Sequence, residues 1–229
     1  MAPALTGAEV LAQKRDAAAR AAELVRPGMV VGLGSGSTAL LAVEAIARRL
    51  AGGSLGGIVG VPTSRATAER AQACGVPLTD LEQHPVVDLT IDGTDEVTPG
   101  GDLLKGAGGA LLREKVVAGA SRRLVIVVDE TKRVDRLGQR HALPVAVAAF
   151  GWATHLAAVR GLGGEPLLRR DAAGAPYLTD DGHFILDCRF ARGIADPAAV
   201  DRALKSRAGV METGLFLGLS PEVIVGRRT

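Results

Sequence analysis

The 229-residue sequence predicts an α/β fold, a parallel sheet flanked by helices and joined to a second, smaller α+β domain. Three observations carry that prediction. Apolar residues make up 47% of the chain and aromatic residues only 3%, so the core is built from Ala, Val, Leu and Ile, the composition of helices packed on a parallel sheet. Over the first half of the chain, short apolar runs of strand length alternate with segments of helix length, the pattern of βαβ units. After Lys132 the segments shorten and are broken by Gly, Pro and Asp.

The elements follow in order. Glu9 to Val25 is Ala-rich with scattered charges and reads as a helix ended by Pro27-Gly28. Met29 to Leu33 reads as a buried strand and Thr38 to Leu50 as a helix. Ile58 to Val61 is a strand, followed by a helix from Ser64 to Ala73. Val86 to Ile91 is a strand, Gly109 to Ala120 a helix, and Leu124 to Val128 a strand. Beyond Lys132, Phe150 to Arg160 reads as a helix, and Pro166 to Arg170 and Tyr177 to Asp187 as short strands, with Asp181-Gly182 as a hairpin signal. Pro197 to Arg207 opens with Pro and suits a helix. Gly214 to Leu219 and Val223 to Val225 are apolar and are expected to rejoin the first sheet. No internal repeat or low-complexity stretch is present.

A net charge of +2 with dispersed Lys and Arg predicts no nucleic-acid partner and leaves room for a small acidic ligand. No apolar run reaches bilayer-spanning length, and the N-terminus lacks a signal pattern. No membrane association is therefore expected, and Cys74 and Cys188, far apart and without a CxxC, point to a reducing cytoplasm. His84, His141, His155 and His183 show no ligand spacing, so no metal and no cofactor is expected.

Ligands of open parallel sheets bind outside the carboxyl ends of the strands. Four predicted strand ends carry polar groups: Gly34-Ser35-Gly36-Ser37-Thr38, Pro62-Thr63-Ser64, Asp92-Gly93-Thr94-Asp95-Glu96 and Asp129-Glu130-Thr131-Lys132. Gly34 to Thr38 lets backbone N–H groups approach an anion at a helix N-terminus, with Ser37 and Thr38 as added donors. The same residues fit a tight βα turn with a Ser or Thr N-cap, and pattern alone does not separate the two. The stretch is neither a dinucleotide fingerprint nor a P-loop. Asp92 and Asp95 form a carboxylate pair suited to proton transfer or to holding sugar hydroxyls, and equally to capping a turn. Lys105-Gly-Ala-Gly-Gly109 is a flexible loop that feeds the helix bearing Glu114. At 3.6 residues per turn, Glu114 projects between Leu111 and Ala118 on one side and Val117 on the other, and the resulting desolvation suits a general base. A solvated Glu paired with Lys or Arg fits the same position.

Four blocks then resemble one family in order and spacing: Gly32-Leu-Gly-Ser-Gly-Ser-Thr-Ala39, Asp92-Gly-Thr-Asp-Glu-Val97, Lys105-Gly-Ala-Gly-Gly-Ala-Leu-Leu-Arg-Glu-Lys115 and Asp129-Glu-Thr-Lys132. They resemble the signature blocks of the type A ribose-5-phosphate isomerases, and the likeness extends to Ile185-Leu-Asp187 and Gly214-Leu-Phe216. It implies a Rossmann-like catalytic domain of residues 1–132 plus 208–229, a small α+β domain of 133–207, and a homodimer or homotetramer. It implies interconversion of ribose 5-phosphate and ribulose 5-phosphate in the non-oxidative pentose phosphate pathway. Glu114 matches the catalytic base. Ser35, Gly36, Ser37 and Thr38, Asp92, Gly93, Thr94 and Asp95, and Lys105, Gly106, Ala107 and Gly108 match substrate-binding loops. Lys132 matches a further substrate-binding lysine and Lys14 a basic residue near the phosphate.

In the enediolate chemistry so implied, Lys105 and loop N–H groups stabilise the oxyanion, and Asp92 with Asp95 moves protons among sugar oxygens. One departure stands out: Pro144-Val-Ala-Val147 carries Ala146 where the family often has Glu. An amino-sugar phosphate deaminase would need a persuasive catalytic His, and a sugar-phosphate-sensing regulator would need a helix-turn-helix ahead of a strand that begins too early to leave room for one.

Overall fold

The structure, a computed structural model, describes residues 5–227. In chain order the elements are α1 (Gly7–Ala22), β1 (Val30–Leu33), α2 (Ser37–Ala51), β2 (Val59–Pro62), α3 (Arg65–Ala73), β3 (Leu89–Asp92), β4 (Glu96–Val97), β5 (Leu103–Leu104), α4 (Leu111–Gly119) and β6 (Leu124–Val128). They continue with β7 (Leu143–Val147), α5 (Leu156–Gly161), β8 (Glu165–Leu168), β9 (Phe184–Arg189), α6 (Pro197–Lys205), β10 (Val210–Thr213), β11 (Leu215–Phe216) and β12 (Glu222–Val225). Among the described residues, no helix is long and apolar enough to cross a membrane.

The chain forms two compact units. The first comprises Met1–Thr94, Arg113–Lys132 and Ser220–Thr229. Its five-stranded sheet has the order β12-β6-β3-β1-β2 and is parallel throughout. Its core joins Ala17, Ala21 and Val25 of the first helical segment to Val43 and Ile46 of α2 and to Val31, Leu33, Leu89, Ile91, Val125 and Val127 of the strands. Alanine on α1 lets that helix lie close to α2, and the apolar area removed from water drives the packing. α1 starts at a capping box, in which Thr6 accepts the Glu9 N–H while the Glu9 carboxylate takes the Thr6 N–H. It ends before the expected Val25 because Leu24 and Val25 turn their N–H groups to Ala21 and Ala22, tightening the last turn.

The second unit comprises Asp95–Leu112 and Arg133–Leu219. It holds a four-stranded antiparallel sheet, β10-β7-β9-β8, and a three-stranded one, β11-β5-β4. Leu143, Val145, Leu186, Cys188, Val200 and Leu204 lie in its core. Several expected elements differ here. Of the stretch 208–229, only β12 joins the parallel sheet, while β10 pairs with β7 and β11 with β5. The helix expected from Phe150 begins at Trp152, as a 3-10 turn, because Gly151 adopts φ 73°. The helix expected from Gly109 begins at Leu111, since Gly109 has φ 85°. Asp181-Gly182 closes a turn between Thr179 and His183 ahead of β9, so Tyr177 to His183 lies outside the strand. Ala146 is fully buried in β7, opposite Ile185 and Glu212.

Candidate active site

In the parallel sheet, the chain leaves β1 on one side for β2 and returns on the other for β3. Such a switch opens a crevice at the strands' carboxyl ends. Gly34 to Thr38 follow β1 there, and Asp92 ends β3. The two turns are in close register: a Cβ on Gly34 would lie 2.2 Å from Asp92 Oδ1 and 2.5 Å from Asp92 Cα. Only glycine fits. Asp92 is 1% exposed, and its Oδ1 accepts the Ser35 N–H at 3.1 Å and the Gly93 N–H at 2.7 Å. Asp92 therefore shapes the loop as well as standing at the rim. Ser35 Oγ lies 2.8 Å from Thr63 Oγ1 and Ser64 Oγ and 3.1 Å from Thr67 Oγ1, and the Thr67 hydroxyl donates to Gly34 O at 3.1 Å. Thr67 was not among the expected site residues. Its signal is Ser64-x-x-Thr67 opening α3, where Ser64 Oγ accepts the Thr67 N–H.

The N-cap of α2 is Gly36, with φ 89° and no side-chain cap. The Ser- or Thr-capped turn that the sequence left open is thus not what forms, and no cap side chain occupies the helix N-terminus. Ser37 Oγ instead accepts from Lys14 Nζ at 3.0 Å, which brings an ammonium group to that positive helix end. Two like-signed features held together suit an anion. Thr38 is buried. Beside Lys14, the buried Gln13 accepts the Glu130 N–H on its Oε1 at 2.9 Å. That bond anchors the 3-10 turn Glu130–Lys132, which Asp129 also braces by accepting the Thr131 N–H at 2.9 Å and the Thr131 hydroxyl. Consecutive residues of α1 thus hold both the Lys132 turn and the start of α2. No sequence pattern marks Gln13, which stands where an apolar side chain would suit a buried helix face.

Glu114 lies in the first turn of α4 and is 5% exposed; Leu111, Val117 and Ala118 are buried as expected.

In the second unit, Lys105 follows β5 and is 3% exposed, with Nζ 5.6 Å from the centre of the Phe216 ring. Asp95 donates its N–H to Leu104 O and accepts the Ala107 N–H on Oδ2 at 2.9 Å. The carboxylate thus tethers the Gly106–Gly108 loop, which turns back through Gly109 N–H to Gly106 O at 3.0 Å. Next to Asp95, Glu96 is fully buried and accepts N–H groups of Gly138, Arg140 and His141 at 2.6 to 2.7 Å. Burial pushes its carboxyl up, but the His141 ring, at 3.4 Å, and the three backbone donors outweigh that and hold it below the ordinary range.

His155 is buried, and burial, reinforced by Arg207, lowers its pKa. His84 Nδ1 lies 2.7 Å from the Thr79 hydroxyl. Burial pushes the Cys188 thiol up to about 12, which leaves it un-ionised. Among the described residues, no group of three or more His, Cys, Asp and Glu side chains gathers as a metal site.

A family profile described as Ribose 5-phosphate isomerase A (phosphoriboisomerase A) matches residues 59–229. The chain belongs to the ribose-5-phosphate isomerase A family. It is 52% identical to a ribose-5-phosphate isomerase A of Synechococcus sp. (strain JA-3-3Ab) over 213 residues, 93% of this chain and 92% of that relative. Among solved structures it resembles a D-ribose-5-phosphate isomerase in complex with phospho-erythronic acid, with a TM-score of 0.91, 35% identity and 94% of each chain covered. It likewise resembles the ribose 5-phosphate isomerase A of Methanocaldococcus jannaschii, with a TM-score of 0.88, 33% identity and 94% coverage of both. The Rossmann-like parallel sheet with antiparallel companions is the fold of these ribose-5-phosphate isomerase A structures.

Proposed function

We propose that this chain interconverts ribose 5-phosphate and ribulose 5-phosphate through an enediolate, with Glu114 as the base that carries the proton between C2 and C1. Family membership supports the reaction. The observation that carries the site assignment is the meeting of Lys14 with Ser37 at an N-terminus of α2 that no side chain caps.

In the open-chain aldose, Glu114 takes the C2 proton, and the C1 carbonyl oxygen becomes the enediolate oxygen. Return of the proton to C1, with loss of the O2 proton and gain of one at O1, gives the ketose. Negative charge develops on O1 and then on O2. Lys105 and the N–H groups of the 106–108 loop are the donors we assign to it, because preorganised donors stabilise charge where it develops. Asp92, with Asp95, relays protons among the sugar oxygens and assists ring opening. Ser37, Thr38, Lys14 and Lys132 bind the phosphate. The ligand in one related structure, phospho-erythronic acid, ends in a planar carboxylate that imitates an enediolate, which supports the same reading. From the family likeness alone we also infer a homodimer or homotetramer working in the cytoplasm on a small phosphosugar.

The test is isomerisation of ribose 5-phosphate in deuterium oxide. Turnover with partial entry of solvent deuterium at C1 of the ribulose 5-phosphate is expected, because the proton held on Glu114 exchanges with solvent in a fraction of turnovers. Absence of turnover would overturn the reaction, and no deuterium at C1 even after many turnovers at equilibrium would overturn the enediolate.

A further inference from the structure

Asp187 belongs to a block that resembles the family, yet the reaction above leaves it without a task. In the structure its carboxylate grips Arg169 by two parallel hydrogen bonds, Nε to Oδ2 at 2.9 Å and Nη2 to Oδ1 at 2.6 Å. The pair is largely buried, with the Arg169 side chain 14% exposed. The third guanidinium nitrogen is thereby aimed. Nη1 donates to Gly106 O at 3.2 Å and to Ala107 O at 3.0 Å, both in the loop assigned to the substrate. Tyr177 completes the grip. Its ring lies 5.6 Å from Arg169 Cζ, and its hydroxyl donates to Gly108 O at 3.3 Å. A Cβ on Gly109 would come within 2.4 Å of that hydroxyl, so the loop is seated against the ring. Three successive carbonyls of one glycine-rich loop are therefore taken up by two side chains.

Peptide geometry makes this consequential. In a trans peptide the C=O and the following N–H point in opposite directions. With the Gly106 and Ala107 carbonyls on Arg169, the N–H groups of Ala107 and Gly108 emerge on the opposite face of the loop. The first confirms the sense, because it reaches Asp95 Oδ2 at 2.9 Å. The second shares that face. We infer that Arg169, oriented by Asp187 and backed by Tyr177, is a positioning residue that fixes the 107–108 peptide so that the Gly108 N–H is presented to the oxyanion of the reacting sugar. The 107–108 peptide is otherwise freer to flip, because the change falls on ψ of Ala107 and φ of Gly108, and Gly108 offers no Cβ to resist it. A flip would present a carbonyl oxygen where the reaction needs a donor.

This inference rests on the assignment of the 105–108 loop to the substrate, and the experiment separates the two. Parent, Lys105→Ala, Arg169→Lys, Arg169→Ala and Tyr177→Phe are compared by steady-state kinetics and by amide hydrogen exchange over residues 106–109. Lysine keeps the charge but lacks the fork that grips Asp187 and both carbonyls at once. For Arg169→Lys, kcat/KM is expected to fall roughly tenfold to a hundredfold, carried mainly by kcat, as small misplacements of catalytic donors do. Exchange at 106–109 is expected to quicken, while exchange in the β7 and β9 strands stays unchanged. Guanidinium ion is expected to restore part of the activity of Arg169→Ala. Tyr177→Phe, the mildest variant, removes one neutral hydrogen bond and should cost about two- to fivefold in kcat with the same local exchange signature. If the Arg169 variants do not fold, Tyr177→Phe alone decides. Parent-like kinetics, or lost activity with exchange at 106–109 as slow as in the parent, would overturn the positioning role. Normal activity of Lys105→Ala would instead overturn the assignment of the loop itself.

Discussion

In the first unit, Asp92 ends one strand of the parallel sheet, Ser35 and Ser37 follow another, and Lys14 of α1 reaches Ser37. In the second, the 106–109 loop is gripped by Arg169, Tyr177 and Asp187, more than sixty residues further along the chain. The contrast separates two ways of building a rigid polar site. A parallel sheet brings its carboxyl ends together by topology, so short motifs after each strand suffice and hydrogen bonds between neighbouring strand ends finish the work. A loop between short antiparallel strands has no such frame, and its carbonyls must be taken by side chains that the fold delivers from elsewhere.

The largest effect is expected at Glu114 of the first unit. Glu114→Gln keeps size and leaves the fold intact, and loss of the base should lower kcat by roughly a hundredfold to ten-thousandfold. Turnover near that of the parent in the purified variant would remove Glu114 from the chemistry and leave the second unit's Lys105 and loop as the dominant contributors. Next in size is the phosphate. Lys14→Ala and Lys132→Ala each delete a charge-assisted donor worth about 1.5–3 kcal/mol, so ribose 5-phosphate should bind roughly tenfold or more weakly in titrations, while binding of unphosphorylated ribose stays as it was. Equal weakening for both sugars would mean that these lysines hold the fold or the sugar.

Glu96 sharpens the comparison in the second unit, because its one carboxylate accepts three N–H groups of the 138–141 segment. Its folded-state pKa is depressed below that of an unfolded Glu, about 4.3, so the stability it contributes is full above that value and is lost as the pH falls through the lower folded value. Urea unfolding from pH 7 down to pH 3 should show the parent exceeding Glu96→Gln by about 2 kcal/mol at neutral pH, with the gap closing in acid. A gap independent of pH would assign the loss to packing. The smallest effect is expected at Ser64, whose cap on α3 is local. Ser64→Ala should cost about 1 kcal/mol in the same measurement. A larger loss, accompanied by weaker phosphate binding, would mean that the hydroxyl cluster around Ser35 acts as one unit.

The same contrast decides what was legible in the sequence. The parallel sheet and its helices could be read because each strand is a short β-branched run and each helix an Ala-rich one, and because periodicity survives without knowledge of partners. The placement of Gly34 to Thr38 and of Asp92 at the carboxyl ends of β1 and β3 could be read because each closes or follows a short apolar run. Gly214 to Leu219 was misplaced, since an apolar pair such as Leu215-Phe216 says nothing about which sheet it joins, and the pairing with Leu103-Leu104 is non-local. Gln13, Arg169 and Tyr177 escaped for the same reason. Each acts through a backbone atom distant in sequence, and a side chain that hydrogen-bonds a remote backbone group leaves no spacing to detect.

The first helix has a consequence for how the protein is made. Lys14 reaches Ser37 from a helix that is docked by residues distant in sequence: Asp16 accepts the Arg227 N–H at 2.9 Å, and Arg20 donates to Val225 O at 3.0 Å. Those residues flank and end β12, which also closes the edge of β6. On a ribosome, α1 emerges long before the strand that secures it. Until then β6 presents a row of unpaired N–H and C=O groups, an open template for another nascent chain. The long sequence separation of these contacts makes closure a late and slow event. The corner where Lys14 meets Ser37 therefore matures only after β12 has paired, and the interval before it does is when this protein is most exposed to misassembly.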